Sequence, residues 1–198
     1  MKKVKNILTV LATLLVLANV AVARTFSAGS VNAVGVEFQS LEVLMNQHNV
    51  QLPVNEKYIV ISKRDLLLYV CENSQSGSPH LVASYPVCVG LNYGDKVTPG
   101  DMRTPETDSF VPFTITQIAK SSNWRHNFKD GRGSIRAYGD WFLRLSAGNG
   151  IGIHGSTNNE KSVPGRASEG CIRLHDADII ALKEQYAFVG MKVFVLPD

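Results

Sequence analysis

Through most of the chain, apolar positions fall in short runs separated by Gly, Pro, Asn and Asp. Tyr58 to Ile61, Leu66 to Val70, Leu81 to Val89, Phe110 to Ile118, Trp141 to Leu145, Ile151 to His154 and Lys192 to Leu196 are each rich in β-branched and aromatic residues. Runs of that length and composition, closed by turn formers, predict strands rather than helices. A polar stretch from Glu72 to Pro79 predicts a hairpin turn between the second and third runs. One later segment breaks the series. Asp176 is placed to cap a helix in which Ile179, Ile180, Leu182, Lys183 and Tyr186 follow with partial helical spacing, ending before Gly190. The expected fold class is therefore mainly β, a sandwich or barrel with one packed helix.

The two ends of this series differ from its middle. Met1 to Lys5 is basic, Ile7 to Ala18 is apolar but far shorter than the roughly 20 residues that span a bilayer, and Ala21-Val22-Ala23 is a small-x-small site. Residues 1–23 are therefore read as a signal peptide cut after Ala23, the alternative being a retained membrane anchor; either reading puts the domain outside the cytoplasm. Residues 24–56 form a lead-in segment with a short amphipathic helix expected from Phe38 to Met45. Residues 57–198 make up the domain. Within it, residues 120–136 are a polar insertion carrying aromatics and Arg, a length of loop more often functional or mobile than structural.

Charge alters the picture once the leader is set aside. Its loss takes Lys2, Lys3 and Lys5 from the 20 basic residues and leaves 17 against 17 acidic, so the formal +3 belongs to the leader. A nucleic-acid partner has no clustered basic footprint in the remainder.

Three cysteines leave one disulfide and one thiol as a possibility for an exported chain. Cys71 and Cys88 are the candidate pair. A turn centred near Ser76 sets Cys71 opposite His80 and leaves Cys88 too far along the hairpin for a bridge, so two buried thiols are favoured.

Two segments carry candidate chemistry: Ile151-Gly152-Ile153-His154-Gly155-Ser156 and Gly165-Arg166-Ala167-Ser168-Glu169-Gly170-Cys171-Ile172-Arg173-Leu174. A thiol is nucleophilic as thiolate, so a catalytic Cys171 needs a base such as His154 at the end of a neighbouring strand. Gly155 and Gly170 admit tight turns and close approach of backbone to substrate, and N–H groups around Cys171 are placed to face an oxyanion. Ser168 is read as a hydrogen-bonding residue of the turn rather than a nucleophile. His175 is read as part of the helix entrance, since Cys171, His154 and His175 lack a zinc spacing. His48, His80 and His126 are solvated unless the insertion folds over the site. Trp124 and Phe128 are either anchors of that insertion or parts of a lid.

Ser168-Glu169-Gly170-Cys171-Ile172-Arg173, downstream of Ile153-His154-Gly155, resembles the signature of the L,D-transpeptidase catalytic domain family (YkuD-type). The resemblance covers Lys57 to Asp198 and includes Ser84 to Gly90, Gly94-Asp95-Lys96, Gly100-Asp101, Arg103-Thr104-Pro105-Glu106 and Tyr138 to Leu145. It implies an L,D-transpeptidase-like sandwich or barrel and a catalytic set of Cys171, His154 and the Gly155 carbonyl. Gly170 and Cys171 would supply oxyanion donors, and Arg173 would steady the motif loop or take a substrate carboxylate. The implied substrate is a peptidoglycan stem peptide, with another stem's amine or a protein lysine as acyl acceptor and no metal or cofactor. Hydrolysis by the same thioacyl-enzyme, as a carboxypeptidase or amidase, is the alternative chemistry, and an inactive peptidoglycan-binding module the alternative of another class. Two positions depart from the family pattern. Glu169 stands where many members have His, and is expected to point away from Cys171. Thr107 stands where Gly is usual.

Overall fold

A computed structural model describes Val43 and residues 54–73, 79–108 and 111–198. The leader, the centre of the turn near Ser76, and all of the expected Phe38 to Met45 helix except Val43 lie outside the described residues; Val43 itself is helical.

Among the described residues from Lys57 onward, twelve strands and one α-helix follow in order: β1 (Lys57–Ser62), β2 (Leu67–Asn73), β3 (Pro79–Pro86), β4 (Cys88–Gly90), β5 (Phe113–Lys120), β6 (Arg125–Asn127), β7 (Ser134–Arg136), β8 (Trp141–Leu145), β9 (Gly152–His154), β10 (Gly165–Ser168), β11 (Ile172–Arg173), α1 (Asp176–Gln185) and β12 (Lys192–Leu196). The fold is mainly β with one helix, as the residue pattern predicts. Ten strands form one sheet in the order β10-β4-β11-β9-β8-β5-β12-β1-β2-β3, and β6 with β7 form a separate hairpin. β5 belongs to both halves of the large sheet: Phe113 and Thr114 pair with β12, whereas Ile115 to Lys120 pair with β8 across a register shift. A shift of that kind bends a strand and increases its twist, which turns the two halves onto a common core.

That core contains Ile59, Ile61, Leu68 and Val70 from one half, Val89, Leu143, Ile153 and Ile172 from the other, and Ile179 and Leu182 from α1. β1 is buried on both faces, because Tyr58 and Val60 join a second cluster with Tyr69, Cys71, Phe194 and Leu196. A strand lying between β12 and β2 with both faces covered reads as an unbroken apolar run, which is why Tyr58 to Ile61 shows no alternation.

Two boundaries differ from the pattern. The Leu81 to Val89 run is divided at Val87 into β3 and β4. On the hairpin, Val70 pairs with Ala83 but Cys71 pairs with Leu81, so a bulge puts His80 opposite Glu72 instead of Cys71. The conclusion about the thiols stands: Cys71 and Cys88 are free and fully buried, and burial pushes the Cys71 thiol up to about 12. Cys171 is partly accessible. A thiol reagent is therefore expected to titrate one cysteine in the native protein and all three after unfolding in denaturant. Two or more native equivalents would contradict this burial.

Candidate active site

The site lies where β9 and β11 run side by side. Ile172 is in register with Ile153 and Arg173 with His154, so the parallel pairing of two very short strands brings Cys171, just before β11, to the strand that ends in His154. Both line a cleft of about 750 Å³ with Ser168, Glu169, Arg173 and Tyr138.

The turn before Cys171 is built from its own residues. Ser168 Oγ donates to the Cys171 carbonyl at 2.6 Å and accepts from the Gly170 N–H at 3.1 Å. Gly170 has φ of +128°, and a Cβ there would meet the Arg103 carbonyl, so only glycine fits. Ser168 is thus the turn's hydrogen-bonding residue. Because the Gly170 N–H is already given to Ser168, the Cys171 N–H is the member of the expected oxyanion pair left to face a substrate.

His154 is buried against two aromatic rings. The Phe142 ring stacks on it at 5.5 Å and 11°, and Tyr138 lies 4.8 Å away. Its Nδ1 is 2.6 Å from the Gly155 carbonyl. A carbonyl only accepts, so Nδ1 carries the proton and Nε2 is left as the basic nitrogen. Burial, with the nearby Arg173 and His126, pushes the imidazole down to about 3 against the Gly155 hydrogen bond. Burial likewise raises the Cys171 thiol above its ordinary range, opposed by a hydrogen bond from the Gly152 backbone and the charges of Arg173, Lys96 and Arg144. Both shifts favour the neutral forms, thiol and imidazole, because each charged form would lose its hydration.

The Gly155 carbonyl is held from outside the motif. Gly155 N–H donates to the Tyr138 carbonyl at 2.9 Å. Asp176 accepts from the Ser156 N–H at 2.7 Å and from the Thr157 hydroxyl at 2.5 Å. A side chain on Gly155 or Gly139 would collide with Asp176 Oδ1. Asp176 is therefore not the cap expected from the pattern: His175 is the N-cap residue and Asp176 opens α1 with its carboxylate turned to the loop after His154. Nothing in the local sequence distinguishes the two roles, since an Asp before an apolar-periodic segment suits either.

Arg173 is 4% exposed. Its Nη1 donates to the Ala167 carbonyl at 3.3 Å and approaches Ser162 Oγ at 3.4 Å, its guanidinium lies 5.2 Å from the Phe128 ring centre, and Nε has no partner among the described residues. No carboxylate of the described residues pairs with it, although it lines the cleft. It steadies the motif loop and leaves charge uncompensated toward the cavity.

The insertion folds over the site. β6 and β7 pair through Arg125 to Asn127 and Ser134 to Arg136, and the hairpin brings His126 and Phe128 to the cleft. Trp124 instead packs on Tyr138 and Phe142 at 5.9 and 5.4 Å. The two aromatics divide the alternatives, Trp124 as anchor and Phe128 as cover. His126 is only partly covered by the folded insertion, and its Nε2 is 3.1 Å from Glu169 Oε2. Glu169 lines the cleft with its side chain 44% exposed and its carboxylate held by His126.

The opposite rim is the segment 91–107. Asp101 accepts from Lys96 Nζ at 2.8 Å and from the N–H groups of Val97, Thr98 and Arg103, which hold its carboxyl well below the usual range. Lys96 thereby reaches the cleft, a role that no spacing in the sequence reveals. Fully buried Lys63 ties the rim down through Gly94, Glu106 and Asp198. Thr107, unusual for the family pattern, uses its hydroxyl to accept from the Val195 N–H at 3.1 Å while its N–H donates to the Val195 carbonyl, so the side chain extends the edge of β12.

A family model described as the L,D-transpeptidase catalytic domain (YkuD) matches residues 56–195. A candidate L,D-transpeptidase of Bacillus subtilis (strain 168), YqjB, is 28% identical over 148 residues, covering 72% of this chain and 73% of that protein. Among solved structures, the L,D-transpeptidase from Xylanimonas cellulosilytica is 18% identical with a TM-score of 0.49, covering 74% of this chain and 63% of that one. The catalytic domain of the E. faecium L,D-transpeptidase is 16% identical with a TM-score of 0.47, covering 72% and 98%.

Two outcomes follow from the geometry. Between the ordinary histidine value of 6.5 and the folded value of about 3, the unfolded chain binds a proton that His154 refuses. The stability associated with His154 is thus present above pH 6.5 and declines as pH falls, by at most about 1.4 kcal/mol per pH unit. Denaturant melts of His154→Gln across this range should lack that part of the slope. Asp176→Ala should lose about 1–3 kcal/mol by leaving the Ser156 N–H and Thr157 hydroxyl without their acceptor, and an unchanged melt would remove the clamp.

Proposed function

The chain belongs to the L,D-transpeptidase catalytic domain (YkuD) family, and from that premise we propose that Cys171 forms a thioacyl-enzyme with a peptidoglycan stem peptide. The observation that carries this reading is the tautomer of His154. With Nδ1–H bound to the Gly155 carbonyl at 2.6 Å, Nε2 is a free base in the cleft that Cys171 lines.

The neutral pair dictates the order of events. As Sγ attacks the carbonyl carbon of the residue that precedes a terminal D-alanine, its proton passes to Nε2, so a bare thiolate never has to exist in a buried site. The developing oxyanion is met by the Cys171 N–H. His154, now an imidazolium, returns the proton to the departing amine as the C–N bond breaks. The acceptor amine then attacks the thioester and gives its proton to Nε2; the C–S bond breaks and the thiol recovers that proton. Arg173, whose charge is unmatched toward the cavity, is suited to a substrate carboxylate. The acceptor is another stem's amine or a protein lysine. We place the reaction outside the cytoplasm, on the strength of the leader-like residues 1–23.

Incubation of the protein with a disaccharide tetrapeptide, followed by mass analysis, is expected to give a crosslinked product and released D-alanine. A tripeptide alone would mark a hydrolase, and no product with folded protein would favour a binding module. Cys171→Ser should lower turnover at least about 10³-fold, and undiminished activity would sink the nucleophile assignment.

A further inference from the structure

The cleft is unevenly charged. Lys96, Lys129 and Arg173 line it, and Glu169 is the sole carboxylate among the lining residues. Lys96 has its own partner in Asp101 at 2.8 Å. Glu169 lies two residues before the nucleophile, and both Cys171 and Glu169 raise the pKa of the Tyr138 phenol after burial has done so. Carboxylate, thiol and the Tyr138 ring line the same cleft. The carboxylate's partner is His126 Nε2, a ring 33% exposed on the β6–β7 hairpin.

We infer that Glu169 determines specificity by receiving a primary ammonium group of the substrate beside the bond made or broken at Cys171, with His126 as the partner it gives up. This rests on the function proposed above. A substrate cation entering the cleft meets three positive side chains and a single anion, so its place is decided by Glu169. A primary ammonium brings three donors and a fixed charge to a carboxylate, against the one ring N–H that His126 offers. The contact is partly exposed and so open to exchange, and until exchange it keeps the carboxylate oriented toward the hairpin. The ammonium belongs either to the diamino acid of the acyl donor or to the acceptor amine before it loses its proton.

The test uses the full chain and two methanethiosulfonates of similar size, one ending in an ammonium and one neutral, reacting at Cys171; Cys71 and Cys88 are fully buried. The ratio of cationic to neutral labelling rates should fall about three- to fivefold in Glu169→Gln. It should hold or rise in His126→Phe, which frees the carboxylate, and stay unchanged in Glu160→Gln, a charge outside the cleft lining. An unchanged ratio in Glu169→Gln overturns the inference. An equal fall in His126→Phe overturns it too, because the pair would then serve only to pin the hairpin, and so does an equal fall in Glu160→Gln, which would signal a general field. Tetrapeptide donors with a free or acetylated side-chain amine then identify the source. A KM raised in Glu169→Gln for the free-amine donor assigns the ammonium to the donor, and one raised for the acceptor assigns it to the acceptor. Absence of turnover by the wild-type protein would remove the proposed function, while the labelling ratio would still decide the ammonium site.

Discussion

The hydrogen bond from His154 Nδ1 to the Gly155 carbonyl is the constraint on which the site depends. It settles which nitrogen is basic, and it does so with a backbone group where other thiol and serine enzymes use a side-chain carboxylate or amide. A carbonyl cannot be reoriented without moving its peptide unit, so the positioning is carried by the chain itself. Tyr138 holds the N–H of that residue and Asp176 holds the next two residues. The absence of side chains at Gly139 and Gly155 is what lets these three segments meet.

Burial supplies the second half of the chemistry. It lowers the imidazole and raises the thiol, so that each favours its neutral form. Phe142 and Tyr138, packed together against His154, contribute to this desolvation, and Trp124 ties the insertion to the same two rings. The hairpin that covers the site is therefore anchored on the rings that shield the base.

The rim opposite the hairpin depends on charges placed where water is scarce. Lys63 is matched by Glu106 and Asp198, and Lys96 by Asp101, so each buried ammonium has the partner without which burial would be costly. Arg173 differs from both, with carbonyl and hydroxyl contacts but no carboxylate of the described residues. Glu169 differs in the other direction, as the cleft's lone anion held by a replaceable ring.

The strands β1, β8 and β12 and the helix α1 were legible in the sequence, because their apolar composition and bounding turn residues depend on nearest neighbours along the chain. Cys171, His154, Gly155 and Ser168 were legible for a similar reason: tight turns and adjacent strand ends confine them to recognisable short motifs. The bulge that shifts Cys71, the division of one apolar run at Val87, and strands as short as β6, β7, β10 and β11 were not, since two to four residues become strand only when a partner is present to pair with them. The same holds for Asp176, Lys96 and the contact between His126 and Glu169. Asp176 is 20 residues from Ser156, whose N–H it accepts, and His126 is far along the chain from Glu169, and no local pattern reports which distant backbone or side chain a polar group will meet. The sequence by itself determined the family and the short motifs that carry Cys171 and His154; only the packing of the two sheet halves, the helix and the hairpin decided what surrounds them, because desolvation and long-range pairing exist only once the chain has closed.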